Sequence, residues 1–191
     1  RNPETQVVGF AEVAKVRTDH TKELIEGHYA KNTPAGKWNG LTITKDYREL
    51  IAMKSVDAVL IATPDHWHGE PTILSARAGK HVYCEKPISL TIAEGRRMVD
   101  AVKKNKVIFQ TGSQQRTEFG GKFRRTVEMI HSGAIGKIKK IQVCVGGPPK
   151  PCDLATQPVP EGIDWDAWQG PAPTRGYNKE LCPDNVHNHF P

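Results

Sequence analysis

Two short stretches gather the side chains best suited to chemistry: Glu85-Lys86-Pro87, and the turn Thr63-Pro64-Asp65-His66-Trp67-His68. Lys86 is a compact cation with three donors, able to hold a substrate oxygen and to stabilise negative charge developing on it. A solvated Glu-Lys pair before a proline is the plain alternative, and the tripeptide alone does not separate the two. His66 and His68 stand at i, i+2, which invites a metal reading. No third ligand stands at a useful spacing, so no metal is assigned. The terminal NVHNHFP places His187 and His189 around an asparagine, but without the flanking elements of a metal-dependent nuclease, and neither takes a role.

The elements that must position these turns lie between Val56 and Pro87. Asp57–Ala62 is an apolar run of strand length, the pattern of a strand covered on both faces. Thr63-Pro64-Asp65 stops it, since proline cannot continue a ladder and aspartate favours turns. Pro71 suits the first turn of a helix and Gly79 its left-handed end. His81–Cys84 is a second short strand, closed by Glu85-Lys86-Pro87. A strand–helix–strand unit this short makes a parallel crossover, and ligands bind outside the carboxyl ends of such strands. Both turns are therefore predicted at one rim.

Elsewhere, Gln6–Glu12 reads as a strand ending in an acid, and Thr21–Ala30 as a helix with Leu24, Ile25 and Tyr29 on one face. Lys31–Gly40 reads as loop. Thr44–Met53 is a short helix capped by Thr44, with Tyr47, Leu50 and Ile51 buried. Thr91–Asn105 carries a capping box, Thr91 with Glu94, and turns Gly95, Met98, Val99 and Val102 to the core. Val107–Thr111 is a further strand, and Gln114 follows it in the polar run Gly112–Arg116. Phe119–Ser132 is amphipathic through Phe123, Val127 and Ile130, and Gly133 ends it. From Ile138 to Val145 the period changes to alternation, which predicts a one-sided sheet and a new domain. Pro148–Pro173 is long, proline-rich and aperiodic. Within it, Trp165 and Trp168 are expected to pack one domain on the other, with sugar stacking as the alternative.

The 191 residues allow one domain or one and a part. A chain with 37% hydrophobic and 25% charged residues is ordinary for a globular protein. No apolar run approaches the roughly 20 residues of a membrane span, so no membrane association is expected. The net charge of +6 comes from scattered lysines and arginines rather than a stripe with interleaved aromatics, so no nucleic-acid partner is expected. Cys84, Cys144, Cys152 and Cys182 form no C-x-x-C pair and read as free thiols.

Taken together, ATPDHWH, AGKHVYCEKPISLT, FQTGSQQR and GIDWDAWQGPAP resemble the glucose–fructose oxidoreductase / inositol dehydrogenase / rhizopine catabolism (Gfo/Idh/MocA) family, over about Gln6 to Pro191. The resemblance implies an α/β chain: a Rossmann-type doubly wound parallel sheet over residues 1–137, then the start of an α+β substrate and oligomerisation domain over 138–191, with a one-sided, mainly antiparallel sheet. It implies an oxidoreductase that moves a hydride between a sugar or polyol carbon and NAD, with NADP possible. Lys86 is then the catalytic candidate. Glu12, Arg17, Thr63, Pro64, His68, Glu85, Lys86 and Gln114 are the cofactor-binding candidates. Glu12 would accept from the adenosine ribose hydroxyls and repel a 2′-phosphate, favouring NAD, whereas Lys15 and Arg17 would welcome that phosphate. The family's G-x-G-x-x-G turn, its general base and most of its second sheet are not among these residues, so a fragment is expected. The whole protein is expected to be a homo-oligomer, cytoplasmic or, behind an export leader, periplasmic. The rival readings are an NAD-dependent glycoside hydrolase of the same superfamily and a non-catalytic cofactor- or sugar-binding protein.

Overall fold

The computed structural model describes residues 4–33, 37–38, 40–144, 146–147 and 153–182. Cys152, Val145 and the histidines His187 and His189 lie outside them. The chain forms two compact units, residues 1–111 with 154–191, and residues 112–153.

The first unit opens with β1 (Gly9–Ala11), α1 (Lys15–Asn32) and β2 (Thr42–Thr44). β1 and β2 run parallel, Gly9 opposite Thr42 and Ala11 opposite Thr44. The helix predicted at Thr21 begins at Lys15. Its first turns are polar and so carry no apolar period, yet they hold an exposed Lys15–Asp19 pair at 2.6 Å. Tyr29 anchors α1: its hydroxyl accepts from the Val7 amide at 2.6 Å, and its ring stacks on Trp38 at 4.7 Å. Helix α2 (Tyr47–Ala52) is capped by Asp46, which accepts from the Arg48 amide at 2.9 Å, rather than by Thr44. Thr44 instead accepts from the Asp46 amide at 3.1 Å, so two side chains shape the approach to one helix.

β3 (Ala58–Ile61), α3 (Gly69–Arg77) and β4 (His81–Glu85) form the predicted crossover. The strands are parallel, from Ala58 opposite His81 to Ile61 opposite Cys84. Gly79, at φ 76°, closes the loop after α3 with a left-handed residue. β5 (Phe109–Gly112) lies on the other side of β4, giving the order β3-β4-β5, and is reached through α4 (Ile92–Asn105). The α4 cap is as expected at Thr91, which accepts from the Glu94 amide at 3.1 Å. The Glu94 carboxylate reaches one residue further back than a capping box would take it, to the Leu90 amide at 2.8 Å.

Ile61, Val82 and Cys84 make the core of this sheet, joined by Val59 and Phe109. α3 meets them with buried Thr72, Ser75 and Ala76, and α4 packs on α3 through Met98 and Ala101. The prediction that β3 is covered on both faces does not hold among the described residues. Leu60, pointing opposite to Ile61, is 69% exposed. The pleat dictates this when helices cover a single face.

Residues 154–182 also belong to the first unit. They contain α6 (Trp165–Gln169), capped by Asp164, which accepts from the Ala167 amide at 3.1 Å. Trp165 and Trp168 stack on each other at 4.8 Å, with Tyr177 edge-on to Trp165 and Cys182 buried beside them. Trp165 donates to the Arg175 carbonyl at 2.9 Å.

The second unit holds two 3-10 turns, Gln114–Arg116 and Phe119–Gly121, and α5 (Lys122–His131). Phe123 and Val127, from the predicted apolar stripe, are exposed here. The one-sided sheet predicted from Ile138 is not formed by the described residues: 138–144 carry no strand, and Ile141 and Val143 are exposed. Alternation marks which side chains would share a face, but a strand needs a hydrogen-bonded partner, and none of the described residues supplies one.

Candidate active site

The register of β3 on β4 places the end of β3, and so Thr63 and Pro64, at the same edge of the sheet as Glu85 and Lys86. Lys86 is exposed, and its amide donates to Glu85 Oε2 at 3.2 Å. Glu85 is half-buried, and Thr63 is exposed. The Lys86-Pro87 peptide bond is cis.

His68, expected beside a cofactor ribose, turns its ring inward. It is 1% exposed, with Nδ1 against the Pro87 carbonyl oxygen and Nε2 2.8 Å from that of Thr63. A neutral imidazole donates to one of the two, according to its tautomer. The His68 carbonyl accepts from the Thr72 hydroxyl at 2.7 Å, which ties the residue to α3 as well.

Glu12 follows β1, and its Oε1 accepts from the amides of Val13 and Ala14 at 2.8 and 2.9 Å. One carboxylate oxygen thus holds the turn into α1. Arg17, in the first turn of α1, is half-buried. Lys45, just past β2, borders a shallow cleft of about 450 Å³ with Val159, Gly162, Ile163, Asp164 and Asp166. Gln114 lies in the second unit, half-buried in the 3-10 turn after β5.

Sequence spacing did not reveal the device that joins the two turns of the first unit. The Lys15 amide donates to the Gly162 carbonyl at 2.8 Å, and the Asp164 amide to that of Val13 at 3.0 Å, next to Glu12. Further along the same segment, the Trp168 carbonyl accepts from Trp67 Nε1 at 3.0 Å and lies 2.8 Å from His66 Nε2. Residues 162–168 therefore clasp the turn after β1 and the turn after β3. Only the tryptophans hinted at it, and Trp168 is 102 residues from His66. His66 and His68, the pair a metal reading needs, face different partners.

Near the rim, burial pushes the Cys84 thiol up from its ordinary value, while the neighbouring Thr72 side chain acts the other way. Beneath the TPDHWH turn, burial and then the Glu70 carboxylate raise the Tyr47 phenol, whose ring meets Trp67 edge-on at 5.7 Å.

Parallel strands ending in polar turns, an acid after β1 and a lysine after β4 define a dinucleotide-binding α/β protein. Residues 5–113 match the Gfo/Idh/MocA oxidoreductase family, NAD-binding Rossmann fold, and the chain belongs to that family. It is 41% identical over 110 residues to the myo-inositol 2-dehydrogenase of Thermotoga maritima, covering 57% of this chain and 32% of that one. It is 40% identical over 89 residues to the 2,7-anhydro-N-acetylneuraminate hydratase of Escherichia coli, covering 47% and 23%. A solved levoglucosan dehydrogenase, in complex with NADH and levoglucosan, superposes with a TM-score of 0.55 at 28% identity, over 69% of this chain and 32% of that one. The chain spans a third or less of the length of these relatives.

Proposed function

We propose that this chain forms the cofactor-binding part of an enzyme that transfers a hydride between a hydroxyl-bearing carbon of a sugar or polyol and NAD. The observation that carries the reading is the parallel β3–β4 pair, which delivers Thr63 and Lys86 to one edge. The residues present fit such a cofactor: the Glu12 carboxylate suits a ribose diol, and the exposed Lys86 suits a reacting oxygen. Bound nicotinamide supplies the two-electron acceptor. In the oxidative direction the substrate carbon would give its hydride, with both bonding electrons, to the nicotinamide and its hydroxyl proton to a base or water, leaving a carbonyl. Lys86 donates a hydrogen bond to that oxygen and stabilises its growing negative charge. No residue of this chain is assigned as proton acceptor. Thr63, Pro64 and Glu85 line the cofactor's nicotinamide side, and Glu12 with Arg17 its adenosine side, with NAD preferred to NADP. Gln114 is a further cofactor contact on the strength of the family resemblance alone. Residues 1–137 constitute the Rossmann domain, and 138–191 open a substrate and oligomerisation domain of a homo-oligomeric protein.

The test is NADH formation by the native protein across a panel of inositols and aldoses. Lys86→Met is expected to lower kcat/KM roughly 10²- to 10³-fold, the loss typical of one removed oxyanion donor, with NAD binding retained. Equal turnover by the variant sinks the assignment. The similarity to a hydratase supports a second reading, chemistry at a sugar without net oxidation. It predicts substrate consumption with no accumulating NADH.

A further inference from the structure

We infer that His68 is a positioning residue for Lys86 rather than a cofactor contact; the inference rests on the function proposed above. Both ring nitrogens face backbone carbonyls, Nδ1 that of Pro87 and Nε2 that of Thr63, and the side chain is 1% exposed. Neither ring nitrogen is left to meet a ligand. The two carbonyls belong to the two turns at the sheet edge, and Pro87 directly follows the lysine. His68 is also held from behind by Thr72 on α3, so the crossover helix is coupled through one side chain to the turn that presents Lys86. β3 and β4 are paired only as far as Ile61 opposite Cys84, so the residues beyond lack a ladder between them. Wedged between the two carbonyls and donating to one of them, the imidazole fixes the spacing of the turns where Lys86 must be placed, and a misplacement of about 1 Å at a reacting centre costs roughly 100-fold in rate.

The experiment uses the native protein and three variants. His68→Asn sets an amide N–H near the position of Nδ1, toward Pro87. His68→Gln sets one near Nε2, toward Thr63. His68→Phe keeps a ring and removes both polar atoms. Expected are a kcat roughly 100-fold lower for His68→Phe, with the Kd for NAD from calorimetry within about threefold of wild type, and rescue by Asn but not by Gln. In the double variant with Lys86→Met, adding His68→Phe costs little more, since the two act as one unit. In the ligand-free protein, the NMR signal of ¹³C-dimethylated Lys86 shifts in His68→Phe while the other lysine signals stay. A tenfold weaker Kd for NAD with kcat retained, equal rescue by both amides, an additive double variant, or an unmoved Lys86 signal each overturns the inference. If His68→Phe does not fold, the Asn and Gln comparison decides alone. Wild-type protein with no hydride transfer overturns the proposed function, and this inference with it. Wild-type turnover with additive variants overturns only the role of His68.

Discussion

Gly170→Ala is the substitution whose consequence the geometry specifies most fully. Gly170 ends α6 at φ 47° and ψ -118°, and a Cβ there would stand 2.7 Å from Trp67 Cη2 and nearer still to Cζ2 and Cε2. The indole is rigid and held by its N–H bonds to Ala167 and Trp168, so it cannot give way cheaply. The backbone conformation costs an L-residue about 1–3 kcal/mol, overpacking adds about 1–3 kcal/mol, and a lost indole hydrogen bond adds roughly 1 kcal/mol. We expect a loss of about 5 kcal/mol from these contributions, a large share of a domain's usual stability. Gly79→Ala is the control. Gly79 also has positive φ, at 76°, but nothing lies within 4 Å of the place its Cβ would occupy. About 1–2 kcal/mol is therefore expected from the backbone alone. Urea unfolding followed by far-ultraviolet circular dichroism, with a common slope, measures both. If the two variants lose the same stability to within about 1 kcal/mol, the clasp of residues 162–170 on Trp67 is not the close contact described.

Asp46 gives a pH-dependent prediction. The Arg48 backbone N–H it accepts holds its carboxyl below the ordinary range, although slight burial acts the other way. A lowered folded value means that the cap's stabilisation is complete above the ordinary carboxylate range near pH 4 and is lost as pH falls through the folded value. Thermal melts from about pH 3 to about pH 7 should show this acid-side decline vanish in Asp46→Asn, which keeps a capping side chain, whereas Asp46→Ala should lose about 1 kcal/mol at neutral pH. Cysteine reactivity gives another. Cys144 is exposed while Cys84 and Cys182 are buried, and burial raises the Cys84 thiol, so less of it is thiolate at a given pH. With a maleimide at about pH 8, peptide mapping should find Cys144 labelled in the folded protein, and Cys84 and Cys182 only after unfolding. Early labelling of Cys84 would mean that α3 does not seal β4.

Much of this chain was legible wherever local chemistry decides. The apolar run before Thr63-Pro64-Asp65, the short strand before Glu85-Lys86-Pro87 and the glycine at 79 yielded β3, α3 and β4 close to their observed bounds, because breakers act on their own neighbours. The cap at Thr91 was legible for the same reason. Polar helical turns hide from apolar periodicity, so α1 begins at Lys15 rather than at the predicted Thr21. The run from Ile138 is the converse case: it alternates, yet the described residues supply it no partner strand, and Ile141 and Val143 are exposed.

The sequence by itself determined the crossover and the rim on which Thr63 and Lys86 sit, since these follow from short-range periods and turn residues, while the family was legible through the resemblance of whole motifs such as ATPDHWH and AGKHVYCEKPISLT. Only the tertiary structure decided that His68 points inward to two carbonyls and that Trp168 closes on the TPDHWH turn. Those contacts join residues 19 and 102 positions apart. No local propensity encodes which distant backbone oxygen a ring nitrogen will meet.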